Sequence, residues 1–146
     1  MIEHLFREEA VVLLREVRRV LAPGGICRVV IPDLQSMVRS YAERVRSSSA
    51  HGDEPGSERL MEMLGMSSRS TPPRSVLGFY RRVTDFERHK WMYDEAGLSA
   101  LLRESGFTGP RACGSLQSDI PSDVLAAVEN PDRIEGGAGI CVEARK

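Results

Sequence analysis

The run Arg18 to Leu34, RRVLAPGGICRVVIPDL, limits the folds open to this chain more than any other stretch. Leu21 closes an apolar helical stripe. Pro23, Gly24 and Gly25 then end it, because proline cannot continue a helix and glycine supplies the left-handed turn that helix ends commonly need. Ile26 to Ile31 is a short run dominated by β-branched residues and bounded by Pro32, the pattern of a strand covered on both faces. Arg28 is its one charged residue. Asp33 follows, offering a carboxylate to the free N–H groups of the next helix. Helix, turn, strand and helix in immediate succession are the local grammar of an open α/β sheet.

The flanking segments extend that grammar. Residues 5–21 carry Phe6, Ala10, Leu13, Leu14, Val17 and Leu21 at amphipathic-helix spacing, with Arg7, Arg15, Arg18 and Arg19 elsewhere around the helix as a solvated face. Residues 34–45 repeat the pattern with Leu34, Met37, Val38, Tyr41, Ala42 and Val45. From Ser47 to Gly56 the composition turns polar and rich in turn formers, which predicts a mobile surface loop. A short helix over 58–66 uses Leu60, Met61 and Leu64, a loop covers 67–73, and helical spacing returns with Val76, Phe79, Tyr80 and Val83. Asp94 caps a further helix whose stripe is Leu98, Leu101 and Leu102 and whose stop is Gly106. Strands are expected over 111–116 and 140–145, with a short helix over 122–129 in the polar connection between them. The glycines of Glu135 to Gly139 form a G-x-G match in the wrong context. A phosphate-cradling loop opens a helix, whereas this one opens a strand.

At 146 residues and 41% hydrophobic, the chain is one domain with a core of its own. A net charge of −1 gives no global pull toward nucleic acid or an anionic membrane. No apolar run approaches the roughly 18 residues of a membrane span, and Arg7, Glu8 and Glu9 break any signal-peptide pattern, so a cytoplasmic protein is expected. Cys27, Cys113 and Cys141 are widely spaced with no nearby histidine, so they predict small buried side chains in or beside strands. They do not form a metal site, and none is expected.

With Glu3-His4-Leu5 before the first helix and Arg19-Val20-Leu21-x-Pro23-Gly24-Gly25 after it, the chain resembles the second half of a class I S-adenosylmethionine-dependent methyltransferase of the small-molecule type. Tyr93 to Phe107 resembles the helix before that fold's sixth strand, and Ile140 to Lys146 its last strand. The resemblance implies a partial Rossmann-like sheet made of the last three strands. The final strand would be antiparallel and lie between the other two, with flanking helices and an insert over 47–88 where the family often places a substrate cap. The glycine-rich cofactor loop and the acidic residue that holds the ribose have no counterpart in these residues. What the resemblance leaves for this chain is a cofactor-side edge through Glu3 and His4 and an acceptor-side wall through the insert. S-adenosylmethionine is the implied cofactor, weakly bound by the chain alone, and a small hydroxyl, amine or carboxylate compound is the implied acceptor.

Residue types add candidates of their own. Arg69, Arg74, Arg81, Arg82, Arg88 and Lys90 face only Asp85 and Glu87 between residues 69 and 90. With Tyr80, His89 and Trp91 interleaved, this stretch suits an anionic ligand, Tyr80, Arg81, Arg82 and Trp91 being the substrate-binding candidates. The plainer reading is a solvated basic face with packed aromatic rings. His89 is the histidine best placed for chemistry, since an imidazole near neutral pH can take a proton from an acceptor as the methyl group arrives. A capping or packing role is its plainer alternative.

Three functions follow as expectations: a methyltransferase whose first half lies elsewhere, a non-catalytic remnant acting as an interaction module, and a complementing subunit of a split enzyme. A sheet reduced to three strands would leave residues 26–31 as an open edge, from which a homodimer is expected.

Overall fold

The computed structural model describes residues 1–47, 56–66, 88–135 and 139–146. Helix α1 (Arg7–Val20) has Glu8 and Glu9 in its first turn and Arg18 and Arg19 in its last, the charge order that suits a helix dipole. It stops at the expected turn. Gly24 sits at φ +74°, and a Cβ on Gly25 would lie 2.9 Å from the Ala22 carbonyl oxygen, so both positions require glycine. Strand β1 (Ile26–Pro32) follows. Helix α2 (Leu34–Ser47) begins where Asp33 accepts the N–H groups of Gln35 at 3.0 Å and Ser36 at 3.1 Å. Helix α3 (Gly56–Met63) packs on α2, with Gly56 against the Tyr41 ring. The Asp94 carboxylate caps α4 (Glu95–Glu104) by accepting the Gly97 N–H at 2.7 Å. Strand β2 (Thr108–Ala112), helices α5 (Ser122–Val128) and α6 (Asp132–Glu135), and strand β3 (Gly139–Arg145) complete the described elements.

The sheet order is β1-β3-β2, with β3 antiparallel to both neighbours. Pairing with β1 runs in register from Ile26 opposite Arg145 to Pro32 opposite Gly139. The protein is thus an α/β fold built on an open three-stranded sheet, with β1 and β2 at its edges. Among the described residues no helix is long and apolar enough to cross a membrane.

One face of the sheet is the hydrophobic core. Cys27, Val29 and Ile31 from β1 and Val142 and Ala144 from β3 meet Ala10, Val11 and Leu14 of α1 and Leu98, Leu101 and Leu102 of α4. The other face carries charge. Arg28 is paired across the strands with Glu143, and both side chains are buried, as is that of Glu129 just past α5. Arg28 gives Nε–H and one Nη2–H to Glu129 at 2.5 and 3.0 Å, and one Nη1–H to Glu143 at 2.9 Å. The carbonyl oxygens of Gln117 at 3.0 Å and Gly114 at 2.9 Å take the remaining two. All five guanidinium N–H groups are therefore used. Glu143 also accepts from Ser118 and from Arg111, and Glu129 takes the Leu116 N–H at 2.7 Å.

Several sequence expectations shift. The second strand is 108–112 and not 111–116, because Gly114, Leu116 and Gln117 turn off the sheet to bond Arg28 and Glu129, with Leu116 at φ 54°. Phe6 leaves the core stripe: it is exposed at the start of α1 with the Lys90 ammonium 5.0 Å from its ring centre, and Val11 is buried instead. On α2 only Met37 is buried, while Val38 and Val45 are exposed. Cys27 and Cys141 are buried as expected and Cys113 is partly so. Burial pushes the Cys27 thiol up to about 11 and that of Cys141 to about 12, which leaves them unreactive. The loops at 47–56 and 67–73 and the helix from Val76 lie largely outside the described residues.

Candidate functional site

A cleft of about 320 Å³ opens at the carboxyl end of β1, lined by Ile31, Pro32 and Met37 on one side and by Glu3, Asp132 and Arg133. Its shape follows from the chain order. The strand ends at Pro32, α2 starts at once from Asp33, and Met37 on the first turn of that helix faces back toward the strand end.

The Glu3 side of the cleft is built by a single turn of 3-10 helix, Ile2–His4, anchored by Ile2 in the core. The Glu3 carbonyl oxygen accepts the N–H groups of Lys90 at 2.7 Å and Trp91 at 3.2 Å. Downstream, the Tyr93 carbonyl accepts the Leu34 N–H at 3.0 Å, which ties the same segment to the start of α2. His89 is fixed from a third direction: its N–H bonds the Gly65 carbonyl at 3.3 Å and its Nδ1 the Leu64 carbonyl at 2.9 Å. His4 makes a similar contact, Nδ1 to the Arg88 carbonyl at 3.3 Å. The two imidazoles meet edge to face with centroids 4.9 Å apart, and His4 Nε2 lies 3.7 Å from Glu3 Oε1.

The glycine after α3 makes this approach possible. Gly65 sits at φ +66°, and a Cβ there would stand 2.6 Å from His89 Nδ1. Burial alone would push the Glu3 carboxyl up, yet the Met1 amine, Glu3's own backbone N–H and nearby His4 hold it below the ordinary carboxylate range. It is an ionised group at the edge of an apolar core.

Of the residues singled out from sequence, Glu3, His4 and His89 are brought together. Trp91 joins them through its backbone while its side chain is half exposed. Tyr80, Arg81 and Arg82 lie outside the described residues. Sequence reasoning missed Gly65, which falls inside the helix expected over 58–66, and it missed Met37 and Arg133 as cleft walls. Glu3-His4 and His89 read as separate features in the sequence because long stretches of chain divide them. No family model matches the chain, and neither a curated protein nor a solved structure matches it.

Proposed function

We propose that this chain is the carboxyl-terminal part of an S-adenosylmethionine-dependent methyltransferase acting on a small-molecule acceptor. The observation that carries the reading is the sheet order. A final strand inserted antiparallel between two strands that run parallel to each other is the arrangement the resemblance implies, and nothing in composition or periodicity demands it. The cleft at the carboxyl end of β1 supports it as well, since open α/β sheets bind ligands beyond that end of their strands.

In this reading Glu3 and His4 form the cofactor-side edge of the cleft, and Tyr80, Arg81, Arg82 and Trp91 belong to the acceptor wall. Methyl transfer is an in-line displacement at a sulfonium methyl, so these groups act by holding both reactants at near-attack distance. His89 is the proton acceptor: a carbonyl on Nδ1 fixes the proton there and leaves the lone pair on Nε2.

Titration calorimetry tests the proposal. Without a glycine-rich strand-turn-helix, the chain alone is expected to bind S-adenosylmethionine more weakly than low micromolar. Addition of a polypeptide carrying that half, encoded upstream in frame or by a neighbouring gene, is expected to restore binding and transfer of a labelled methyl group. Tight binding by the chain alone, or a combined sample that neither binds nor transfers, overturns it.

A second reading, a module that pairs with another copy or with a complementing subunit, is favoured by the edge position of β1, which among the described residues pairs with β3 alone. Sedimentation at high micromolar concentration distinguishes it: a symmetric dimer supports this reading and a monomer counts against it.

A further inference from the structure

We propose that Glu3, His4 and His89 form a binding site for a divalent first-row transition ion of the zinc type. One carboxylate oxygen and one ring nitrogen from each histidine lie within 4.8 Å of one another. The Glu3 Oε1 to His4 Nε2 distance of 3.7 Å compares with about 3.4 Å for two ligands placed ~2.1 Å from an ion at the tetrahedral angle. A small closure completes the site.

The hydrogen bonds around the cluster leave one nitrogen of each ring for a ligand. Each Nδ1 faces a backbone carbonyl, Arg88 for His4 and Leu64 for His89, and a carbonyl only accepts. Both Nδ1 atoms therefore donate, and Nε2 is what each ring has left to offer. A carbonyl or carboxylate on the distal nitrogen is also how metal-bound imidazoles are ordinarily oriented. The other polar contact of the Glu3 carboxylate is at Oε2, which takes the Met1 amine at 2.5 Å.

Two nitrogens and one oxygen suit zinc, iron, cobalt or nickel over magnesium and calcium, which prefer all-oxygen shells. Three protein ligands leave at least one coordination position open, the pattern of a catalytic and not a structural ion. Glu3 also lines the cleft at the end of β1, so that open position borders the space where a ligand would sit. His89 then serves as a ligand in place of its role as proton acceptor, and a bound ion would acidify a coordinated hydroxyl or water. The proposal replaces the role given to His89 above and leaves the rest of the methyltransferase reading untouched, and its test reads ion binding and not methyl transfer.

The chelator-stripped chain is titrated with Co²⁺ by visible absorption and with Zn²⁺ by calorimetry. The expected result is saturation at one ion per chain, an intense band of four- or five-coordinate Co²⁺, displacement by Zn²⁺ and none by millimolar Mg²⁺. His4→Ala and His89→Ala each abolish the band, and Gly65→Ala, which displaces the His89 ring, weakens binding by roughly 10–100-fold. Nitrogen-15 NMR of the Zn²⁺-loaded wild-type chain is expected to show coordination at Nε2 of His4 and His89, a readout that requires no variant to fold. Absence of saturable binding below millimolar Co²⁺, histidine signals unmoved by Zn²⁺, or full binding by the His4→Ala/His89→Ala double variant overturns the site.

Discussion

The two faces of the central sheet are held by opposite means. On one, Cys27, Val29, Ile31, Val142 and Ala144 meet α1 and α4, where Leu14, Leu98, Leu101 and Leu102 are at most 2% exposed. On the other, Arg28, Glu129 and Glu143 are also buried, with side chains 7%, 4% and 3% exposed, and every guanidinium N–H has its own acceptor. Apolar contact is non-directional, so the first face loses stability in proportion to the area and volume removed. The ionic face is stoichiometric. Two buried carboxylates share one buried cation, and its removal strands Glu129 and leaves Glu143 with the half-exposed Arg111 alone.

The largest effect is therefore expected at Arg28. Arg28→Met leaves Glu129 buried without a guanidinium and Glu143 with only the half-exposed Arg111, and should lower stability by about 3–5 kcal/mol in urea denaturation at pH 7. A loss under 1 kcal/mol would mean that the two faces are not so different. Leu101→Ala, on the apolar face, should cost ~3 kcal/mol by cavity formation, measured the same way.

The pH dependence sharpens the contrast. The bidentate bonds from Arg28 hold the Glu129 carboxyl below its ordinary range. Burial works the other way on Glu143, but bonds from Ser118 and Arg28 more than offset it and its carboxyl is also lowered. Groups depressed on folding stabilise the protein above their unfolded value of about 4.3, and that contribution is lost as pH falls through the folded values. Burial opposes the Arg28 charge, yet Glu129 and Glu143 raise its pKa, so its contribution fails only at alkaline extremes. Wild-type stability should hold from neutral pH to about 5 and drop below about 4. In Arg28→Met Glu143 keeps Arg111 and Ser118, but the burial of Glu129 dominates and its sign inverts: stability should rise as pH falls from 7, so the two curves converge in acid. Parallel curves across that range would break the argument. The smallest effect concerns neither face. Asp94→Ala removes the cap of α4 and should cost about 1 kcal/mol in thermal unfolding.

Much of the apolar face could be read from the sequence. The Leu98, Leu101 and Leu102 stripe, the Pro23-Gly24-Gly25 stop and the β-branched run after it each act locally, through helix period, turn conformation and strand propensity. The ionic face could not. Arg28 looked like an exception within an apolar strand because its partners lie about a hundred positions away, and only the fold brings them near. The same distance hid the end of β2, where Gly114 and Leu116 leave the sheet for that centre. For the candidate site, Glu3-His4 and His89 read in the sequence as two separate features. Their convergence depends on the Glu3 carbonyl holding the 90–91 backbone and on Gly65 making room for an imidazole, neither of which has a periodic signal.

The middle position of β3 also sets a timetable. Among the described residues β1 and β2 have no pairing with each other, and the one strand there that either joins, residues 139–145, is the last to be synthesised. On the ribosome α1, α2 and α4 can form early, but the β1 run Ile26 to Ile31 must wait unpaired for a strand whose Glu143 lies 115 positions beyond Arg28. Closing a loop of that length before any sheet contact is gained makes for slow folding, with an apolar strand open to the wrong neighbour in the meantime.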